Sequence, residues 1–295
     1  MNIETFFRIA GRGFIEPFPY LIVAAVLLLT YKILHDWITE YDDRALLKQG
    51  NKAVAITRAG AYLGVVFAAT GSLINTDERT YWEGVGIFAL DGIIAIGVLT
   101  AAVFLFDYVI VRNVKNSTYI ADGNFAVGFL EACAYISLGL IICAAFSGNG
   151  QEFFPGIGSA MLFSFIGMAT LALVYKAYCW AWMRFKKRDV DALVASGNVP
   201  AAVDAGTLLI AVSITLWFSI SGDFTGWASD LASYALAVLS STLIIPFGRL
   251  AAVWLLANKL DPEGADKHQG NLSKSLIVGL VSIAIGFMLG IIQFM

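Results

Sequence analysis

Arg58, Glu131 and Asp204 stand 73 residues apart, each inside an otherwise apolar run. A fourth position in that register holds Ile277. A charged side chain facing lipid at mid-helix costs at least about 2.5 to 3.5 kcal/mol, so these three must face protein or water. Their chemistry would be ion pairing or the passage of protons or small cations. Arg58 is expected to pair with Glu131 or Asp204, leaving one acid for Lys32 or Lys176, or neutral through protonation. Asp91 and Asp107 add further acids. A static charge network holding helices in register and an ion pathway are both compatible with this pattern.

Two residues after each position of this register come Gly60, Cys133, Gly206 and Gly279, all small. Residues two apart on a helix differ by about 200°, so the charged and small columns face opposite ways. Small residues such as Gly60 and Gly64 let a second helix approach closely. The second, fourth and sixth spans are therefore expected to be interior.

The elements that carry these residues are membrane helices. Of 295 residues, 59% are hydrophobic and 14% charged, and mean hydropathy is +0.76, outside the range of soluble domains. Eight stretches are long enough to cross about 30 Å of hydrocarbon: 20–37, 53–74, 84–111, 125–146, 156–183, 201–220, 231–257 and 272–294. Residues 1–19 lack the continuous apolar core of a signal peptide and suit an interfacial segment. Lys and Arg concentrate after the odd-numbered spans, at Arg44, Lys48, Arg112, Lys115, Arg184, Lys186, Lys187, Arg188, Lys259 and Lys267, whereas the opposite connections hold Arg79. The expectation is that these basic connections are cytoplasmic and both termini periplasmic. Their natural partners are lipid headgroups, not nucleic acid. Cys133, Cys143 and Cys179 lack metal-site spacing and read as packing residues, with no metal or cofactor expected.

The dipeptide Gly-Asn recurs at Gly50-Asn51, Gly123-Asn124, Gly197-Asn198 and Gly270-Asn271, each just before an even-numbered span. The chain thus reads as an all-α membrane protein of eight transmembrane helices, built from four parallel helical-hairpin repeats. Tyr31-Lys32 and Tyr175-Lys176 mark two longer copies, giving tandem four-helix domains over 20–148 and 149–295. Asn is a preferred N-cap and Gly supplies the turn before it. The functional alternative is that the four helix N-termini gather and bind an anion or phosphate headgroup. Pro246 within the seventh span predicts a kink, just before Gly248 and Arg249. Trp180, Trp182, Trp217, Trp227 and Trp254 read as interfacial anchors.

The segments "GNKAVAITRAGAYLG" and "GNFAVGFLEACAYISLG" resemble the bacterial family labelled domain of unknown function 350, the YjfL-like inner-membrane proteins, through Asn51, Ala53, Ala55 and Gly60 and through Asn124, Ala126 and Gly128. The likeness covers the chain as two tandem domains of four spans. The third and fourth copies depart from the pattern with Val199-Pro200 and Leu272-Ser273-Lys274. The resemblance implies a bacterial inner-membrane protein with neighbours in envelope-stress systems of the phage-shock type, and no established activity.

Enzyme chemistry is not expected. The two histidines, His35 and His268, form no HExxH motif. Aspartyl intramembrane-protease, P-loop and dinucleotide-binding patterns are absent from the sequence as well. The favoured expectation is a small-ion or proton channel or transporter built on Arg58, Glu131, Asp204, Asp91 and Asp107. The alternative is a non-catalytic scaffold that recruits a peripheral cytoplasmic envelope-stress protein or anionic lipid, with a homo-oligomer as a further candidate.

Overall fold

The structure, a computed structural model, describes residues 13, 15–39, 41–74, 80–109, 116–148, 153–257 and 270–294, and the side chains of 102–109, 153–156 and 257 fall outside that description. Residues 1–12, Arg79, Arg112, Lys115, Lys259, Lys267 and His268 also lie outside the described residues.

Four helices begin at the Gly-Asn turns. They are α3 (Lys52–Thr70), α6 (Phe125–Ala145), α9 (Val199–Ile220) and α11 (Leu272–Phe294). Gly50, Gly123, Gly197 and Gly270 adopt φ of +81°, +84°, +88° and +70°, a left-handed backbone that L side chains rarely take. Each turn lets the following Asn cap a helix. Asn51 accepts from the Ala53 and Val54 amides, Asn124 from Ala126 and Val127, Asn198 from Ala201, and Asn271 from Ser273 and Lys274. Pro200 fits the first turn of α9, where its missing N–H would have had no helical acceptor.

The other long helices are α1 (Pro17–Ile38), α4 (Tyr81–Val109), α7 (Phe153–Ala181) and α10 (Trp227–Ala252). Helix α1 starts within the segment expected to lie on the surface, with proline in its first turn. Helices α7 and α10 run on into π-turns, Trp182–Lys186 and Val253–Ala257. Short helices α2 (Asp43–Lys48), α5 (Asn116–Ala121) and α8 (Val190–Ala195) precede three of the Gly-Asn turns. Among the described residues, eight helices are long and apolar enough to cross a membrane.

The helices that follow Gly-Asn form one row, α3 on α6, α6 on α9 and α9 on α11. Contacts along it fall at one level, because Gly60 packs on Ala132, Gly206 on Cys133 and Gly279 on Thr207. Each glycine therefore meets the neighbouring repeat at, or one residue from, its own counterpart. A methyl added at Gly64 would lie 2.6 Å from the Tyr135 carbonyl oxygen, and one at Gly206 2.7 Å from the Cys133 sulfur. Hydroxyls also cross the row, with Thr57 donating to the Gly128 carbonyl at 3.2 Å and Thr215 to the Gly286 carbonyl at 3.0 Å. Lipid tails are as apolar as leucine, so close packing and such hydrogen bonds carry the association.

Helices α1, α4, α7 and α10 make a second layer against this row, α1 on α4 and α4 on α7. Tyr234 of α10 donates to Thr170 of α7 at 2.6 Å, closing the layer. Tyr31, Leu99, Leu138, Leu171 and Tyr175 fill the space between layers and are fully buried. The most apolar windows of α3, α6 and α9 are 56%, 78% and 67% buried, against 33% for α11 and 11% for α1, so the first three helices of the row are interior while α11 and α1 are peripheral.

Candidate functional site at the charged end of the helix row

Arg58 extends from α3 towards α1 and α2, on the side of the helix away from Gly60. Its side chain is buried. The Nη2 group pairs with Asp36 of α1 at 3.3 Å and with Asp43 of α2. Asp36 also holds Lys32, one helical turn earlier, at 3.4 Å. Asp42 instead caps α2 by accepting from the Ala45 amide at 3.1 Å. Burial raises the Asp43 carboxyl above its ordinary pKa, while the Arg58 guanidinium pulls the other way. Above the guanidinium opens a cleft of about 650 Å³, lined by Lys32, Asp36, Tyr41, Asp42, Asp43, Arg44, Leu47, Lys48, Arg58 and Tyr62.

The pairing expected between Arg58 and Glu131 or Asp204 is corrected by this geometry. The carboxylates that hold Arg58 come from its own hairpin. Glu131 is buried on α6 behind an aromatic cluster, in which the His35 ring lies 5.5 Å from that of Tyr31 and 6.4 Å from that of Tyr135. Asp204 pairs with Arg249 of α10 at 3.2 Å. Each half thus clamps a charge of the row against the second layer, Arg58 against α1 of its own hairpin and Asp204 against α10, the first long helix of the next hairpin. Neither lysine partners the column. Lys32 holds Asp36, and Lys176 meets Asp191 of α8 at 3.5 Å, where Tyr175 donates to the same carboxylate at 2.7 Å. Asp91 is buried midway along α4, and the Asp107 side chain lies outside the described residues.

The asparagines have a second role that the cap reading missed. While its oxygen caps α3, the Asn51 Nδ2 group donates to the Ile120 and Ala121 carbonyls, both at 3.0 Å, at the end of the next repeat's short helix. Asn124 does the same to Val194 and Ala195 at 3.2 and 2.8 Å. One amide side chain thereby satisfies a helix start and ties two repeats together. The row's helix N-termini lie side by side, with these amides spent on the protein itself.

Asp36, Asp43, Asp191 and Arg249 are partners within the candidate site and its neighbourhood that the charge column did not reveal. A signal for the first two was present, because Asp36 falls four residues after Lys32 and the pair Asp42-Asp43 opens a helix between the first two spans. A hairpin brings its own turn back to its second helix, so Arg58 had acids within its own repeat.

The family described as Domain of Unknown Function (DUF350) matches residues 9–146 and again residues 152–292. A UPF0719 transmembrane protein of Aquifex aeolicus (strain VF5) is 25% identical over 246 residues, 83% of this chain and 87% of its own length. The UPF0719 transmembrane protein YshE of Bacillus subtilis (strain 168) is 25% identical over 130 residues, 44% of this chain and 92% of its own. No solved structure matches the chain. With its eight apolar helices and transmembrane relatives, the chain is a multi-pass membrane protein.

Proposed function

We propose that this chain, which belongs to the Domain of Unknown Function (DUF350) family, is a non-catalytic scaffold of the bacterial inner membrane that conducts no ions. The observation carrying this reading is the closeness of the row. Glycines at 60, 64 and 139 set α3 and α6 backbone to backbone, Gly286 does so for α11 on α9, and Gly206 of α9 meets the Cys133 side chain of α6, a closeness that argues against a passage along the row. Two of the charged groups that suggested a pathway are held in local clamps, Arg58 with Asp36 and Asp43, and Asp204 with Arg249. With the basic connections on the cytoplasmic side and the termini periplasmic, Arg184, Lys186, Lys187 and Arg188 at the end of α7 form a basic turn suited to an acidic peripheral protein.

A second reading is a proton-responsive protein, favoured by the buried grouping of Tyr31, His35, Glu131 and Tyr135. Flux into proteoliposomes separates the two. A scaffold gives proton and cation flux equal to empty liposomes. Flux above that background, abolished by Glu131→Gln or Asp204→Asn in protein that still folds, would overturn the scaffold reading.

A further inference from the structure

We infer that the cleft between α1, α2 and α3 binds a phosphate oxyanion of the kind carried by a phospholipid headgroup. The site is separate from the basic turn after α7, so the inference does not depend on partner recruitment there. Its floor is Arg58, 3% exposed. Asp36 and Asp43 engage its Nη2 group, but Nε and Nη1 donate to no acceptor among the described residues. Buried cationic donors left in this way are costly, and an oxyanion entering the cleft supplies the acceptors. The planar guanidinium suits phosphate in particular, because its donors form a fixed fork.

Charge and access agree. The cleft's basic groups are Lys32, Arg44, Lys48 and Arg58, and its acids are Asp36, Asp42 and Asp43, an excess of one positive charge. A phosphodiester carries one negative charge and neutralises it. Arg44 and Lys48 lie four residues apart on α2, exposed, and neither makes an ion pair among the described residues. Arg58 is six residues into α3, about 9 Å from its start at ~1.5 Å per residue, near the depth where headgroups give way to hydrocarbon. Beside the cleft, Leu29 and Ile33 of α1 and Leu63 of α3 are exposed and offer an apolar wall for acyl chains. A cleft of about 650 Å³ accommodates a headgroup as well as free phosphate.

The test uses the full chain purified in detergent, with native mass spectrometry and thermal unfolding as readouts. Phosphatidylglycerol is expected to bind and stabilise the wild type. Arg44→Ala with Lys48→Ala should weaken binding by roughly tenfold or more, whereas the charge-preserving Arg44→Lys with Lys48→Arg retains it. Both positions are exposed, so folding should survive. If inorganic phosphate alone stabilises the wild type and displaces the lipid, free phosphate shares the site; if only the lipid does so, the source is the membrane. Either outcome supports an oxyanion site. Binding of both probes that is absent, or equal in wild type and the alanine pair, would overturn the proposal.

Discussion

Asn124→Asp separates the two roles of the repeat asparagine, because the substitution keeps the capping oxygen and removes the donor. As a cap, Asp ranks with Asn. A carboxylate at a helix N-terminus also gains about 0.3 to 1 kcal/mol from the helix dipole. A cap alone therefore predicts a variant as stable as the wild type or slightly more so. The structure predicts the opposite sign. Asn124 donates to the Val194 and Ala195 carbonyls at 3.2 and 2.8 Å in a partly buried setting. Each such bond contributes about 0.5 to 1.5 kcal/mol net. Losing both costs roughly 1 to 3 kcal/mol, and the new carboxylate faces two carbonyl oxygens that repel it. Asn124→Ala loses cap and tie together, for about 2 to 4 kcal/mol in all. The assay is equilibrium unfolding of the purified protein in detergent at neutral pH, comparing the wild type with the Asn124→Asp and Asn124→Ala variants. An Asn124→Asp protein as stable as the wild type would refute the tie between repeats.

Gly64→Val should destabilise by about 1 to 3 kcal/mol through overpacking, because added carbon would meet the Tyr135 backbone; Gly97→Val, with nothing within 4 Å of an added methyl, is the matched control, and thermal unfolding of the two variants should differ. Arg249→Met leaves the Asp204 carboxylate without its partner at 3.2 Å, while Arg249→Met with Asp204→Leu removes both charges. The single variant should be the less stable in detergent unfolding, since a buried charge deprived of its partner costs more than an apolar replacement of the pair, and a double variant no better than the single would remove the clamp's significance.

Spans, repeats and the interior position of α3, α6 and α9 were legible because each has a local cause. Apolar length marks a span whatever surrounds it, and Gly-Asn marks a turn through backbone geometry and capping, which depend on adjacent residues. Gly60, Gly206 and Gly279 likewise announced close approach. The partners of charged groups were harder to read, because they depend on how a hairpin folds back. Asp43 reaches Arg58 across the turn of a single hairpin, a pairing set by the path of that turn and not by the 73-residue register. The second role of Asn51 was hidden for a related reason. Its acceptors, the Ile120 and Ala121 carbonyls, are backbone groups, and backbone carbonyls leave no mark in a sequence.

The repeat itself explains why Arg58 does not find Asp204. Helices related by translation present equivalent residues in the same direction. Two members of the charged column point at the second layer, Arg58 towards α1 and Asp204 towards α10. Equivalent side chains are then parallel neighbours separated by one or more helix spacings of about 8 to 10 Å. From α3 to α9 that separation is roughly 16 to 20 Å, beyond the reach of an arginine and an aspartate. Inverted repeats, by contrast, turn equivalent residues towards one another across an axis and let them share a site. A parallel repeat must neutralise each buried charge from the neighbouring layer. Arginine on α3 meets an acid of α1 and aspartate on α9 meets an arginine of α10, so each is neutralised from the second layer whichever sign the row carries.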